Sequence, residues 1–346
     1  GFKFMKHYSV LKEEAISGLN LKEDSIVVDA TLGYAGHSSL ILKNIPKGHL
    51  FAFDQDINAI NYSKDILNQI GKNFTLIHSN FINLKDKLND LGINKVDAFL
   101  FDLGVSSPQI DDVKRGFSFQ NDAKLDMRMD QDSKLTAQDV VNNYSMYELI
   151  DIFYSYGEEK LRKAIAKKIV SSRPINTTME LVKIIEDAVG KKYFNLHHPE
   201  RKIFQAIRIE VNKELDVIEK VLPDAIDLLS VGGRLAVITF HSLEDRIVKD
   251  VFKKYSEVNE LVKGLPEIPE EYKPTIKLVN KKVVVASEEE LKAQIQIQKV
   301  LEIAFLEATS AVKTPTLPFL CLINTDTQSG KSISSVVRFN ALEDID

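Results

Sequence analysis

Residues 26–54 constrain the fold of this chain more than any other stretch. Two short apolar runs, 26–28 and 50–53, flank a helix-periodic segment, and a turn with Gly33 and Gly36 precedes that segment. Strand, tight turn, helix and strand form the opening βαβ unit of a doubly wound sheet. Glycines in the turn let a ligand approach the helix N-terminus closely. The stretch therefore predicts an α/β fold with a nucleotide-like ligand, although a βαβ unit without a ligand also fits.

The details of this stretch bear on which nucleotide it would hold. Asp54 ends the second run, where a carboxylate can accept hydrogen bonds from both ribose hydroxyls. The dinucleotide fingerprint is G-x-G-x-x-G, but Ala35 and Ser38 replace its second and third glycines. The Cβ of Ala35 would crowd a pyrophosphate, and Asp29 would repel one. These features favour S-adenosylmethionine, an adenosine with a cationic arm, over NAD.

Composition limits the class of protein. A chain of 346 residues suggests one large domain and a smaller one. The single cysteine, Cys321, excludes an internal disulfide, and the lack of a Cys/His cluster argues against structural zinc. These features fit a reducing cytoplasm. No apolar run approaches ~18 residues, so we expect neither a membrane span nor a signal peptide.

The charge is unevenly distributed along the chain. The net charge is −5, yet residues 157–208 contain twelve Lys/Arg and six Asp/Glu, a local +6 that leaves −11 elsewhere. This excess predicts a phosphate-binding surface. A merely solvated helix face is the alternative. The sequence does not determine the oligomeric state, and a homodimer is one of the possibilities.

Two further predicted strands end in polar segments. Phe81 follows the run 74–78, and it could either stack on an adenine or belong to the core. The run 96–101 is followed by a loop, 102–109, that begins at Asp102 and ends at Gln109. Ligands of open α/β sheets bind beside such strand ends. The loop is therefore a candidate reaction site, unless it is an ordinary turn.

The loop suits methylation of an exocyclic base amine. The lone pair of that nitrogen is delocalised into the ring, so an acceptor pair that holds both N–H bonds would help the nitrogen to pyramidalise. Ser106, Ser107 and Pro108 could provide one side-chain oxygen and one backbone carbonyl. Asp102 could hold the ammonium group of the cofactor or accept from the amine.

Several longer runs resemble ribosomal RNA small subunit methyltransferase H, the MraW methyltransferase family. They are DLGVSSPQ (102–109), RGFSF (115–119), LDMRMD (125–130), GEE (157–159), FQAIRIEVNKEL (204–215) and HSLEDRIVK (241–249). The resemblance covers about residues 7–290. It implies a class I methyltransferase, with a Rossmann-like doubly wound sheet and an inserted all-helical domain. The implied reaction is S-adenosylmethionine-dependent N4-methylation of a cytidine in the decoding region of small-subunit ribosomal RNA.

The resemblance also assigns residues. The implied cofactor contacts are Ala35, Gly36, His37, Asp54, Phe81, Asp102 and Gln109. The chemistry of the 102–109 loop, and not the resemblance, makes Asp102, Ser107 and Pro108 the catalytic candidates. We predict no metal in the chemistry, because a sulfonium leaving group needs no Lewis acid. The turn departs from the family pattern G-R-G-G-H at Ala35. An arginine-rich run of the family is replaced by residues 292–299.

The resemblance and the helical periodicity together predict the domains. Residues 5–111 and 213–308 would form the S-adenosylmethionine-binding domain, and 112–212 the inserted helical domain that recognises the substrate. Capping patterns start helices after Thr136, Ser145 and Thr177, and an apolar stripe runs from Ile203 to Leu222. Residues 231–234 predict a turn before a strand at 235–240. Residues 309–346 suggest an appended tail of uncertain structure.

Other functions remain open from the sequence. An NAD-dependent oxidoreductase could use the same sheet, although the replaced glycines and the SSPQ loop count against it. A non-catalytic RNA-binding family member fits the altered turn and the missing basic run. His241, at a predicted strand end, could line a base pocket or fix its own loop. The expected partner is small-subunit ribosomal RNA, within the assembled subunit.

Overall fold

The computed structural model describes residues 11–105, 109, 112–279, 319–324 and 335–337, the last two ranges by their backbone alone. Ser106, Ser107 and Pro108 lie outside the described residues, as does the segment 292–299. Among the described residues, no helix is both long and apolar enough to cross a membrane.

An eight-stranded sheet organises the larger part of the chain. Its strands are β1 (Ile26–Asp29), β2 (His49–Asp54), β3 (Phe74–His78), β4 (Val96–Asp102), β5 (Leu229–Thr239), β6 (Lys277–Leu278), β7 (Phe319–Asn324) and β8 (Ser335–Val337). They lie in the order β3-β2-β1-β4-β5-β7-β6, with β8 beside β7. Strands β1 to β5 are parallel, and β7 is antiparallel to its neighbours. The strand order reverses between β1 and β4, so a ligand-binding switch point is expected there.

Helices cover both faces of this sheet. They are α1 (Lys12–Leu19), α2 (Gly36–Asn44), α3 (Ile57–Asn68), α4 (Leu84–Asp90), α11 (Glu214–Leu228) and α12 (Ser242–Ser256). Side chains of α1, α2 and α3 pack on one face with Leu100 of β4, whereas α4, α11 and α12 pack on the other with Phe99 and Phe101. A strand buried on both faces needs a continuous apolar run, which β4 has. The predicted α/β, doubly wound, Rossmann-like fold is confirmed.

The middle of the chain forms a second, helical unit with its own core. Its helices are α5 (Ala137–Asn143), α6 (Met146–Ser155), α7 (Arg162–Ser171), α8 (Thr178–Val189), α9 (Lys191–His197) and α10 (Pro199–Asn212). Complete capping boxes start α5, α6 and α8 at the predicted Thr136, Ser145 and Thr177. The only strand-like pairing among the described residues of this unit is an isolated bridge between Lys124 and Thr177.

Contacts between Cα atoms divide the chain into these two units. One comprises Gly1–Gly104 with Val217–Asp346, and the other Val105–Asp216. The domain limits given by the sequence, with an insertion at 112–212, stay a prediction.

The predicted apolar stripe from Ile203 to Leu222 is not one helix. Lys213 has a left-handed backbone, with φ of 51°, and separates α10 from α11. Ile203 and Ile207 belong to the core of the helical unit, whereas Ile218 and Leu222 pack beneath the sheet. The apolar spacing continues across Lys213 because α10 and α11 each bury an apolar face, although they bury it in different cores.

One further expectation is corrected by the sheet. The turn predicted at 231–234 lies inside β5, where the register with β4 shifts and Gly232 has φ of 81°. A glycine with this backbone permits a bulge without ending the strand. Strands β7 and β8 fall within 309–346, and β7 pairs with β5, while the tail of uncertain structure given for 309–346 as a whole stays a prediction.

Candidate active site

Three parallel strands end in carboxylates at the switch point. Asp29 ends β1, Asp54 ends β2 and Asp102 ends β4. The carboxyl ends of parallel strands share one edge of the sheet, so the register of these strands brings the acids together. The three carboxylates differ in burial and in hydrogen-bond partners, and they are described in turn below.

The turn between β1 and α2 has a strained backbone. Gly33 has φ of 50° and Ala35 has φ of 61°, and Ala35 is buried directly before Gly36, the first residue of α2. An L-residue with a side chain in this left-handed conformation costs about 1–2 kcal/mol. The alanine therefore adds strain as well as a methyl group where the family pattern has glycine.

Asp54 fixes the position of this turn. Its Oδ2 accepts a hydrogen bond from the Gly33 amide at 2.8 Å, and its Oδ1 accepts from the Asp56 amide at 2.8 Å. Each carboxylate oxygen can accept a further bond, so the half-buried side chain retains the capacity to receive ribose hydroxyls. Burial raises the pKa of Asp54 to about 7, with the backbone donors opposing that rise.

Asp29 is held by hydrogen bonds within the turn. The carboxylate is fully buried, and it accepts from the Thr31 amide at 3.0 Å and from the Ser38 hydroxyl at 2.6 Å. Burial raises the pKa of this carboxyl. The sequence did not identify Ser38 as a functional residue, although a hydroxyl in the first turn of α2 is within reach of the β1 end.

His37 and Asp102 form the contact that joins the turn to β4. His37 Nδ1 lies 3.3 Å from Asp102 Oδ2, with the two side chains 4% and 24% exposed. The Asp102 amide donates to the Thr31 hydroxyl at 2.6 Å. Asp102 Oδ1 is inaccessible to solvent and has no hydrogen-bond partner among the described residues. A buried carboxylate oxygen without a partner is costly, and a cationic or N–H donor on a ligand would satisfy it.

Phe81 and Gln109 are both among the described residues, and they belong to different units of the chain. Phe81 is half-buried in a 3-10 turn after β3, and its ring packs edge-on against Phe101 with centroids 5.7 Å apart. Part of its surface therefore belongs to the core. Gln109 is buried and belongs to the helical unit. The loop residues Ser106 to Pro108 are not among those described.

His241 caps α12, which favours the structural alternative for this residue. Its buried ring accepts from the Glu244 amide at Nδ1, 3.4 Å away, and its Nε2 lies 3.3 Å from Glu244 Oε1. Glu244 Oε2 in turn accepts from the Phe240 amide at 2.8 Å. These contacts hold the turn after β5 in place.

Comparison with known proteins fixes the family. The family model described as the MraW methylase family matches residues 4–300. The chain belongs to this family. The predicted family and enzyme class, a methyltransferase, are confirmed. The methylase is also 52% identical over 290 residues to ribosomal RNA small subunit methyltransferase H of Exiguobacterium sibiricum, covering 83% of this chain and 93% of that relative.

Solved structures resemble the methylase more distantly. An rRNA methylase from Streptococcus thermophilus is 12% identical, with a TM-score of 0.38 over 93% of this chain and 100% of its own. A protein of Streptococcus mutans in complex with SAH is 13% identical, with a TM-score of 0.38 over 92% and 98%. The strand order, and not these similarities, identifies the fold.

Proposed function

We propose that this methylase transfers a methyl group from S-adenosylmethionine to N4 of a cytidine in the decoding region of small-subunit ribosomal RNA. The observation that carries the proposal is the 52% identity to a ribosomal RNA small subunit methyltransferase H across 83% of the chain. The choice of N4 and of the decoding region follows the family resemblance in the DLGVSSPQ loop.

The switch point fits the parts of S-adenosylmethionine. Asp54 can accept from the ribose hydroxyls, and Phe81 lies after the neighbouring strand, where an adenine ring would stack. Oδ1 of Asp102, which has no hydrogen-bond partner within the described part of the chain, suits the ammonium group. The Cβ of Ala35, on a left-handed backbone with φ of 61°, would crowd a phosphate, which this cofactor lacks. The bound cofactor supplies an electrophilic methyl group on a sulfonium.

The protein residues then orient the acceptor. When bound, the cofactor would supply the methyl group and keep the electron pair of its carbon–sulfur bond as a neutral thioether, and the amine proton would pass to water. Ser107 and the backbone carbonyl beside Pro108 accept the two N–H bonds, with Asp102 between the amine and the cofactor. Gln109 completes the cofactor side of this loop.

The basic stretch of the helical unit supports an RNA substrate. Of the six acids in residues 157–208, Glu159 and Glu200 are buried, so the exposed charge is more positive than the local +6. The substrate is the assembled small subunit, which presents the decoding region in its folded form, and the protein acts in the cytoplasm, where subunits assemble.

A pair of titrations and a substrate comparison test the proposal. Calorimetry should show binding of S-adenosylmethionine and none of NADH; the reverse would indicate an oxidoreductase. Tritiated methyl groups should then be transferred to isolated small subunits and less to protein-free ribosomal RNA. Cofactor binding without methylation of either RNA would indicate a non-catalytic family member.

A further inference from the structure

An exposed aromatic ring on the helical unit lies beneath a guanidinium group. Tyr154, in the last turn of α6, is 60% exposed, and the Cζ of Arg162 lies 4.5 Å from its ring centroid. Arg162 is also held by the backbone, because its Nη1 donates to the Glu159 carbonyl at 3.3 Å. The pair is thus pre-arranged at the junction of α6 and α7.

The second observation is how charge is distributed around this pair. Residues 151–168 contain five basic side chains, and Lys160, Lys163 and Lys167 are exposed. Three acids lie in the same stretch. Asp151 and Glu158 are exposed, but Glu159 is fully buried.

Internal contacts keep Glu159 away from the surface. Its Oε1 accepts from the Leu161 amide at 2.9 Å and from the Tyr193 hydroxyl at 2.8 Å, and its Oε2 lies 3.7 Å from Lys202 Nζ. The carboxylate closest in sequence to Arg162 therefore points inward. The surface around the aromatic ring is left with more positive than negative charge.

Exposed surfaces that combine an aromatic ring with cationic side chains match single-stranded RNA. Unpaired bases stack on aromatic rings and on guanidinium planes, and lysines beside them contact the phosphates. We propose that Tyr154 and Arg162 form a stacking platform for an unpaired base of the ribosomal RNA substrate, other than the methylated cytidine, with Lys160, Lys163 and Lys167 on the adjacent phosphates. The proposal rests on the proposed function only in naming which RNA is bound.

A matched control exists on the same helix. Tyr147 lies seven residues before Tyr154 in α6 and is 78% exposed. Its flanking charged residue is Glu148, which closes the capping box of the helix. Tyr147 is therefore an exposed tyrosine on the same helix as Tyr154 but is not part of the platform.

Binding of a small-subunit ribosomal RNA fragment, with 2-aminopurine at its unpaired positions in turn, tests the platform. At the position whose base stacks on Tyr154, wild-type protein should quench the fluorescence of 2-aminopurine. Tyr154→Leu should abolish that quenching and weaken binding about 5- to 150-fold, the range for loss of one base–aromatic stack. Tyr154→Phe should behave as wild type, and Arg162→Gln should fall between them. Tyr147→Leu should have no effect.

Two results would overturn the platform. One is that Tyr154→Leu binds the RNA with the affinity of wild type. The other is that Tyr147→Leu loses as much RNA affinity as Tyr154→Leu does. If binding to protein-free RNA is unaffected but binding to subunits is lost, the exposed ring contacts a ribosomal protein instead, which also contradicts the proposal. Circular dichroism of each variant checks that the helices remain.

Methylation by wild type separates this inference from the proposed function. Wild type that binds the RNA through Tyr154 but methylates no small subunit contradicts the proposed reaction and leaves the platform standing. If wild type methylates subunits and Tyr154→Leu does so with an unchanged KM, the platform is contradicted and the proposed reaction is not. The expected result is a raised KM with kcat unchanged, because the base is bound equally in the ground and transition states.

Discussion

The imidazole of His37 and the carboxylate of Asp102 connect the turn after β1 to the end of β4, with Nδ1 3.3 Å from Oδ2. One Asp102 oxygen is thereby occupied, and the other, Oδ1, is left without a partner among the described residues. His37 lies in the first turn of α2, so its contact with Asp102 links the turn between β1 and α2 to the end of β4. This coupling leads to the first prediction.

The effect of substituting His37 on cofactor binding should depend on whether the new side chain offers an N–H donor where Nδ1 lies in the wild type. An asparagine side chain offers an N–H close to that position, whereas alanine offers none. His37→Ala should weaken S-adenosylmethionine binding about tenfold, in line with the loss of one hydrogen bond to a charged group. His37→Asn should retain most of the affinity. Calorimetric titration measures both, and equal affinities in the two variants would contradict the role of Nδ1.

Asp54 should contribute more to cofactor binding than its neighbour. Asp54→Asn removes the charge that would receive the ribose hydroxyls, and charge-assisted hydrogen bonds contribute about 1.5–3 kcal/mol each. Affinity for S-adenosylmethionine should fall at least about tenfold. Asp56→Asn is the matched control, because Asp56 caps α3 through its side chain and asparagine caps as well. Unchanged affinity in Asp54→Asn would remove this residue from the site.

Cofactor affinity should depend on pH through the same residue. Burial raises the pKa of Asp54 from 3.8 to about 7, so its ionisation opposes folding, and its contribution to stability falls as pH rises between these values. Ribose hydroxyls favour the ionised carboxylate and should lower that pKa on binding. Affinity should therefore rise from about pH 6 to 8, with a proton released. Calorimetry in two buffers of different ionisation enthalpy detects the proton, and Asp54→Asn should abolish its release.

Basic residues of the helical unit should set the salt dependence of RNA binding. Combined reversal of Lys167, Lys168 and Lys192 to glutamate should weaken binding and flatten its dependence on salt, because fewer counterions are released. Lys22, Lys64 and Lys72, reversed together, make the same change of charge on the sheet-containing unit. An equal loss in both triple variants would mean that only net charge matters. Affinity for S-adenosylmethionine should stay constant throughout.

Features set by local rules could be predicted from the sequence. Strand β3 occupies the predicted residues 74–78, and the capping boxes at Thr136, Ser145 and Thr177 begin the predicted helices. Each depends on residues within a few positions of one another. The position of Asp54 after β2 followed in the same way, from its distance to Gly33 along one βαβ unit.

Features that depend on distant parts of the chain could not be predicted in this way. The contact between His37 and Asp102 spans 65 positions and requires the pairing of β1 with β4. The break at Lys213 is hidden because apolar spacing continues while the chain passes from one core to another. Strand β7 lies in a stretch without period-two alternation, and its place is set by pairing with β5.

Analysis of the methylated nucleoside tests the central claim most directly. Small subunits are incubated with the protein and S-adenosylmethionine, and the RNA is digested and analysed by mass spectrometry, with fragments assigned to sequence. We expect N4-methylcytidine at one position in the decoding region. Ser107→Ala should lower the single-turnover rate about tenfold to a thousandfold at unchanged cofactor affinity, through loss of a transition-state hydrogen bond. Methylation of another base, of another atom of cytidine, or of no nucleotide would contradict the account.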